Sequence, residues 1–539
     1  EKLQIAYYDQ EDITALIDGC DAVFLYNLEP VKRSRIVSYC YQNWKVIYYS
    51  IEPEDVVSLG SQRLLFDDKS MICASSRELT FEQRVLKRLM DIIVSAIGLV
   101  IASPIMLVTA LAINIFGDAL RDALIVQREI MRRIPEDYCW TEEQAVARMQ
   151  GLVRDFTAEE FRQLVRHGRV DWRFVEGEKH YLDRFAETLL ATHADLAARQ
   201  IDPPAANTAA REFRRRQHEQ MVQTGKAEAR ITLKTSVGMS DEAFAKALEQ
   251  AKAEGRNSVH VRAWLPLPAA CLAQSEIELL DFTEPPAHIA DENAPQRTVF
   301  WEADLTENRR FGVQYRYHTT AQYADPMDFV PDAEQPTFDT EEEAPHIVFT
   351  PYLRALAHQL TDGVTDPAEK AKRIYDYVTL NVRYHYQPAY FVQESLPDHC
   401  ARDRRGDCGI MALTFITLCR LVGIPAQWQS GLSVSLTGVG CHDWAMFYIA
   451  PKGWMYADCS FGASMARQGD ERLRRHYFGS LDTGRMVANR AFEAPFDPPM
   501  TGFRSDPYDN QSGECEVDGV GLYGDALDTR KELVNYELL

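Results

Sequence analysis

Apolar residues change their spacing several times along the chain, and each change marks a different kind of element. Ala22-Val23-Phe24-Leu25-Tyr26 and Lys45-Val46-Ile47-Tyr48-Tyr49 read as strands flanking a polar helical stretch from Lys32 to Gln42, giving a partial α/β module over 1–83. No glycine-rich phosphate loop follows either strand, which weakens a nucleotide-binding reading. The strongly apolar segment from Ile92 to Phe116 is broken at Ser103-Pro104. A spanning helix needs about 20 apolar residues, whereas halves of about 10–14 suit a re-entrant hairpin, here 84–117. Arg84, Lys87 and Arg88 precede it and fit headgroup contact on the cytoplasmic side; the alternative is a helix hairpin buried in a core.

From 118 to 226 the spacing is helical, with Thr141-x-x-Gln144 and Thr157-x-x-Glu160 as capping boxes and Phe156, Phe161, Leu164 and Val165 on an apolar face. The arginines at 214 to 216 read as a solvated helix face. Over 227–330 the period falls to two. Phe311, Val313, Tyr315 and Tyr317 alternate with Gly312, Gln314, Arg316 and His318. With Arg230 to Leu233, His260 to Trp264, Ser275 to Phe282 and Val299 to Asp304 they make a five-strand set, interrupted by a helix near Asp241 to Ala253, and predict a β-sandwich. An acidic, proline-rich linker from Asp325 to Pro345 leads to a further domain over 346–515, and 516–539 reads as a C-terminal tail. The fold class is α+β multidomain.

Candidate chemistry concentrates in that last domain. Cys408 follows Gly406-Asp407 and opens a helix in which Met411, Phe415, Leu418 and Val422 recur before Gly423-Ile424-Pro425 stops it. Free N–H groups and the positive end of the helix dipole favour a thiolate there, and a neighbouring imidazolium would lower the thiol pKa further. His442 precedes the apolar run Trp444 to Ile449, and Asp458 closes the run Trp454 to Ala457 after a Pro451-Lys452-Gly453 turn. The two runs predict a hairpin that sets His442 beside Asp458, so that the carboxylate orients the imidazole.

Gly406-x-Cys408, Leu421-Val422-Gly423-Ile424-Pro425-Ala426, His442-x-Trp444 and Gly453-Trp454 followed by Asp458 resemble the core of the transglutaminase-like branch of the papain-like superfamily. The resemblance implies catalytic Cys408, His442 and Asp458 on a helix packed against an antiparallel sheet. Trp264-Leu265-Pro266-Leu267-Pro268 and Gln274 resemble the β domain that precedes this core in bacterial members, so the likeness extends over about 118–539. Gln427 stands where many members carry arginine, and Cys459-Ser460 replaces a common Pro-Thr. For the oxyanion, the Cys408 backbone N–H is one expected donor, and Gln387 is a second candidate by analogy with papain-like enzymes. Tyr384 is expected to be structural.

Residues Phe81 to Ile93, followed by Ser103-Pro104, resemble the membrane hairpin of bacterial polyprenyl-phosphate sugar-phosphate transferases. That family's catalytic Asp-Glu pair and basic continuation do not follow. The composition instead shifts to Ala, Arg and Glu near Asn114 to Ala119, which marks a junction between two sequence histories.

Charge narrows the partners. Among 539 residues, 80 Asp and Glu outnumber 58 Lys and Arg, a formal net charge of -22 that argues against a nucleic-acid surface. Eleven cysteines without a tight framework point to a reducing compartment, placing the protein in a bacterial cytoplasm or on the cytoplasmic side of a membrane contacted through 92–116. A zinc site built from His399, Cys400, Cys408, Cys441, His442 and Cys459 lacks the short knuckle spacing that zinc favours, and strand alternation makes Cys441 and Cys459 small core residues. The carboxylates from Asp506 to Glu514 depart from calcium-loop spacing and read as a turn-rich surface segment. The expectation is a cofactor-independent cysteine hydrolase acting on a peptide or carboxamide bond through a thioester, with amine transfer as a variant. The alternatives are a scaffold with a silent triad and a sugar-phosphate transferase.

Overall fold

The computed structural model describes Ala6, Tyr8 and residues 13–26, 28–50, 62–66, 69–74, 118–202, 208–393 and 395–539. The chain divides into two units, Glu1–Asp122 and Ala123–Leu539. In the first, strands Ala22–Leu25 and Val46–Ser50 pair in parallel across helix Pro30–Gln42, as a crossover connection requires. Strands Lys69–Ala74 and Gln62–Phe66 extend this sheet antiparallel. The hairpin expected at 84–117 lies outside the described residues, and with it the membrane contact at 92–116. Among the described residues no helix is long and apolar enough to cross a membrane.

The second unit opens with helical segments, including α1 (Glu142–Leu152) and α2 (Ala158–Arg166). Thr141 and Gln144 form a reciprocal capping box; Thr157 accepts from the Glu160 N–H. Phe161, Phe185 and Leu189 are buried together beneath these helices. α3 (Thr208–Thr224) carries the arginine run. Arg216 is exposed and pairs with Glu212, but Arg215 reaches Asp470 at 2.9 Å, so the run is only partly a solvated face.

The β-sandwich begins with β1 (Lys226–Met239), followed by α4 (Asp241–Ala253), β2 (Val259–Pro266), β3 (Gln274–Phe282), β4 (Thr298–Leu305) and β5 (Phe311–Gln322). Its two sheets place Ile231, Leu233, Val261, Leu265, Trp301 and Tyr315 in one core.

Next come α5 (Pro367–Asn381), α6 (Cys408–Leu421), β6 (Ala426–Ser435), β7 (Gly438–Ile449), β8 (Gly453–Ala457), α7 (Cys459–Arg467) and β9 (Arg485–Asn489). Strands β8, β7, β6 and β9 lie side by side in one antiparallel sheet, with Phe478–Gly479 at the β8 edge. α6 is apolar on all sides and buried from Gly409 to Arg420, as a central core helix must be. Ala445, Phe447, Ile449, Met455 and Ala457 face it, while Leu432, Val434, Met486 and Ala488 join the sandwich core. Each large side chain so buried contributes about 1.5–3 kcal/mol, and this shared core ties the sheet of β6 to β9 to the sandwich.

The C-terminal region departs from its expected role as a tail. β10 (Glu514–Val517) pairs with β2, and β11 (Leu527–Leu538) runs antiparallel to β1 along nearly its whole length. A slip in register between Leu533 and Asn535 breaks the strict alternation that would have marked β11 as a strand.

Candidate active site

Asp407 caps α6, its carboxylate accepting from the Ile410 N–H at 3.1 Å, and so brings Cys408 to the first turn. The helix ends at Gly423, whose φ of 80° suits a residue without a Cβ, and Pro425 follows. Gly409 is required for another reason. A Cβ there would lie 2.4 Å from the Tyr390 hydroxyl, 3.0 Å from the Trp428 ring and 3.1 Å from Asp443 Oδ2. Three side chains thus close on the backbone directly behind Cys408.

His442 and Asp458 meet across the β7–β8 hairpin, His442 Nε2 lying 2.7 Å from Asp458 Oδ2. The same oxygen accepts from Arg485 Nη2 at 2.7 Å, and Oδ1 caps α7 through the Phe461 N–H at 3.0 Å. Arg485 also donates to Asp482, whose other oxygen accepts from the Tyr477 hydroxyl. His442, Asp458 and Arg485 are all at least 95% buried. Burial alone would raise the Asp458 pKa, but the charges and hydrogen bonds of His442 and Arg485 outweigh it and hold the carboxyl far below its ordinary range. Phe461 packs its ring 4.7 Å from that of His442 and carries the Arg485 guanidinium 4.2 Å above its centroid. The imidazole is therefore held by a fixed carboxylate and two aromatic rings, Phe461 and Trp444.

The thiol is directed elsewhere. Cys408 is partly exposed, and its Sγ donates to Asp443 Oδ2 at 3.0 Å rather than to His442. Adjacent strand residues point to opposite faces. Asp443 follows Ala445 and Phe447 toward α6, whereas His442 shares its face with Trp444. Burial, then the Asp443 and Asp407 carboxylates, push the thiol well above its ordinary pKa, which overturns the expectation that its surroundings favour the thiolate. Burial also lifts Asp443 to about 8 and Asp407 to about 6.

Behind Asp443 lies the segment expected at the surface. Asp509, Asn510 and Glu514 are buried and Asp506 is half-buried, and Asn489 of β9 holds the loop by donating to the Asn510 carbonyl at 2.9 Å. Gln511 Nε2 donates to Asp443 Oδ1, to Asp509 Oδ2 at 2.8 Å and to the His442 carbonyl at 3.3 Å. The acids are buried because this loop packs under β10, whose Glu514 side chain accepts the Ser505 and Asp506 N–H groups.

Gln387 is brought to neither the thiol nor the imidazole: its amide nitrogen donates to the His385 carbonyl at 3.0 Å and its oxygen accepts from Gln393. It lines a cavity of about 470 Å³ with Trp172, Arg173, His399 and Arg405, which Cys408, His442 and Asp458 do not line. Tyr384, taken as structural, faces Cys408, and burial followed by that thiol's charge raises its hydroxyl pKa. Cys459 is buried as expected, but Cys441 is exposed, close to Ser512 Oγ. Its strand has left the core at that point, so alternation no longer means burial. Among the described residues no group of three or more His, Cys, Asp or Glu side chains is arranged to hold a metal ion.

Asp443, Arg485 and Gln511 were not singled out from the sequence. Asp443 was legible in part, because a residue next to a strand histidine must face the opposite layer. Gln511 and Arg485 carry no local signal.

The chain matches the family model of the transglutaminase-like superfamily over residues 354–459, a span that contains Cys408, His442 and Asp458. No curated protein matches it. Solved structures similar to parts of it include the "putative cysteine protease" from Cytophaga hutchinsonii, at 16% identity over 59% of this chain and 90% of that one, TM-score 0.35. They also include the periplasmic domain of TgpA from Pseudomonas aeruginosa, at 15% identity over 44% of this chain and 96% of that one, TM-score 0.24. A "putative protease" from Parabacteroides distasonis is 12% identical over 52% of this chain and 66% of that one, TM-score 0.20. Nothing in these comparisons supports a sugar-transferase segment in residues 1–116. Residues 354–459 form a domain of the transglutaminase-like superfamily.

Proposed function

We propose that the protein is a cysteine hydrolase of peptide or carboxamide bonds, with Cys408 as nucleophile and His442, oriented by Asp458, as its acid–base residue. The observation that carries this reading is the buried His442–Asp458–Arg485 array one residue from the side chain that holds the Cys408 thiol. A carboxylate kept charged by two partners fixes an imidazole in one orientation, which is what acyl transfer needs.

In the proposed reaction the Cys408 thiol first turns away from Asp443; its sulfur then attacks the carbonyl carbon as the thiol proton passes to His442. The carbonyl π pair moves to oxygen, where the Cys408 backbone N–H at the helix terminus is a candidate donor. Collapse expels ammonia or an amine that takes its proton from His442 and leaves a thioester. Water, deprotonated by His442, then releases the acid; an amine in place of water gives transfer. A second reading, a binding protein with a silent triad, draws on the direction of the resting thiol toward Asp443.

The test is release of ammonia or amine from a panel of glutamine-containing peptides and simple carboxamides, in the wild type and in Cys408→Ala and His442→Ala. Turnover abolished in both variants supports hydrolysis. Turnover by none of the three proteins favours the silent reading.

A further inference from the structure

The hydrogen bond from Cys408 Sγ to Asp443 Oδ2 at 3.0 Å has no place in the reaction as proposed, because it points the reacting proton away from His442. We propose that Asp443 is a positioning residue that holds the Cys408 thiol in a protonated resting state, with Gln511 holding Asp443, so that the nucleophile must leave Asp443 before it reacts. The inference rests on Cys408 being the nucleophile of the proposed hydrolysis.

Three observations support it. Asp443 is 6% exposed and fixed on both oxygens: Oδ2 faces the thiol and Oδ1 accepts from Gln511 Nε2. Gln511 is itself fixed, since its amide also reaches Asp509 and the His442 carbonyl. Gly409, between the thiol and the core, leaves only 3.1 Å between its virtual Cβ and Asp443 Oδ2, so the carboxyl occupies space cleared for it. A carboxylate accepting a thiol hydrogen disfavours the thiolate whenever it is ionised, by like-charge repulsion.

The titratable groups around the pair are of one kind. Asp443 from β7, Asp407 at the helix cap, Tyr384 and Tyr390 face the thiol; Asp407 and, from the C-terminal loop, Asp506 and Asp509 face Asp443. Arg504 lies on the far side, against Asp506, Asp509 and Glu514. The surroundings therefore bind protons, and the thiol shares them.

The test measures iodoacetamide alkylation of Cys408, read by peptide mass, from pH 6 to 11.5 in the wild type, Asp443→Asn and Gln511→Ala. The asparagine substitution keeps the shape of the side chain and removes its charge. The midpoint of alkylation should fall by at least one pH unit, so that labelling on the rising limb is about tenfold faster. Gln511→Ala should shift it in the same direction by less, because Asp443 keeps its charge but loses its brace. An unmoved midpoint in Asp443→Asn overturns the proposal; if that variant does not fold, an unmoved midpoint in Gln511→Ala does so. A shifted midpoint in a protein that turns over no carboxamide keeps the Asp443 hold and refutes the hydrolase reading. Cys408-dependent turnover with an unmoved midpoint does the reverse.

Discussion

Replacing Asp458 by asparagine removes one charge from an atom that two groups share. Asp458 Oδ2 accepts from His442 and Arg485, each at 2.7 Å, and the residue is fully buried. Asparagine still caps α7 through its side-chain oxygen, so the helix start survives. Arg485 keeps Asp482 alone, and its charge is half-compensated in a buried site. Breaking a buried pair by removing one partner costs about 3–5 kcal/mol. For catalysis, loss of the carboxylate that orients an imidazole lowers kcat by roughly 10⁴-fold in a comparable triad. That is about 5 kcal/mol of transition-state stabilisation. Urea unfolding and carboxamide turnover at pH 7 measure the two effects separately. The pH dependence adds a signed check. Because Asp458 is held below its ordinary pKa, its contribution is present above pH about 4 and fades as pH falls further. The stability gap between wild type and Asp458→Asn should therefore narrow as pH falls below about 4. A variant within about threefold of wild-type turnover, or a gap independent of pH, would refute the assigned role.

Arg485→Met should destabilise the protein by about 3–5 kcal/mol in urea unfolding, since it strands two buried carboxylates, and Arg485→Lys should restore part of that. Gly409→Ala should cost about 1–3 kcal/mol from overpacking and slow turnover, because the new methyl meets the Tyr390 hydroxyl and Asp443 together; equal thermal stability of variant and wild type would count against the packing described. Asp407, Asp443, Asp506 and Glu514 are lifted by burial to about 6, 8, 8 and 7. Groups raised in this way hold protons longer in the folded than in the unfolded chain, so their contribution is full at low pH and is lost as pH rises from about 4 to about 8. Calorimetry should find a lower Tm at pH 8.5 than at pH 6, and a Tm rising over that interval would contradict the burial of the acid cluster.

The parts of the site that were legible in sequence are those written in contiguous residues. A glycine before a helical run places Cys408 at a helix start, and two apolar runs around a tight turn bring His442 to Asp458. The strands of the sandwich were legible for the same reason, since alternation from Phe311 to Tyr317 is local. What stayed hidden depends on which layers meet. The sequence places a helix against the sheet but does not choose the face, and that choice decides whether the thiol looks at His442 or Asp443. Arg485 lies 27 residues beyond Asp458 with no spacing that links them. Gln511 sits among acids that resemble a solvated turn until β10 pairs with β2 and draws the loop inward. Likewise Leu527–Leu538 reads as a tail because its register slips, although β1 offers it an open edge.

The most direct test of the central claim is acid-quenched intact-mass spectrometry during turnover of a carboxamide or peptide substrate. The account predicts a transient adduct on wild-type protein equal to the acyl group, mapped to Cys408 and cleaved by hydroxylamine as a thioester, and absent from Cys408→Ala. Undiminished product release by Cys408→Ala, with no adduct on either protein, would contradict it.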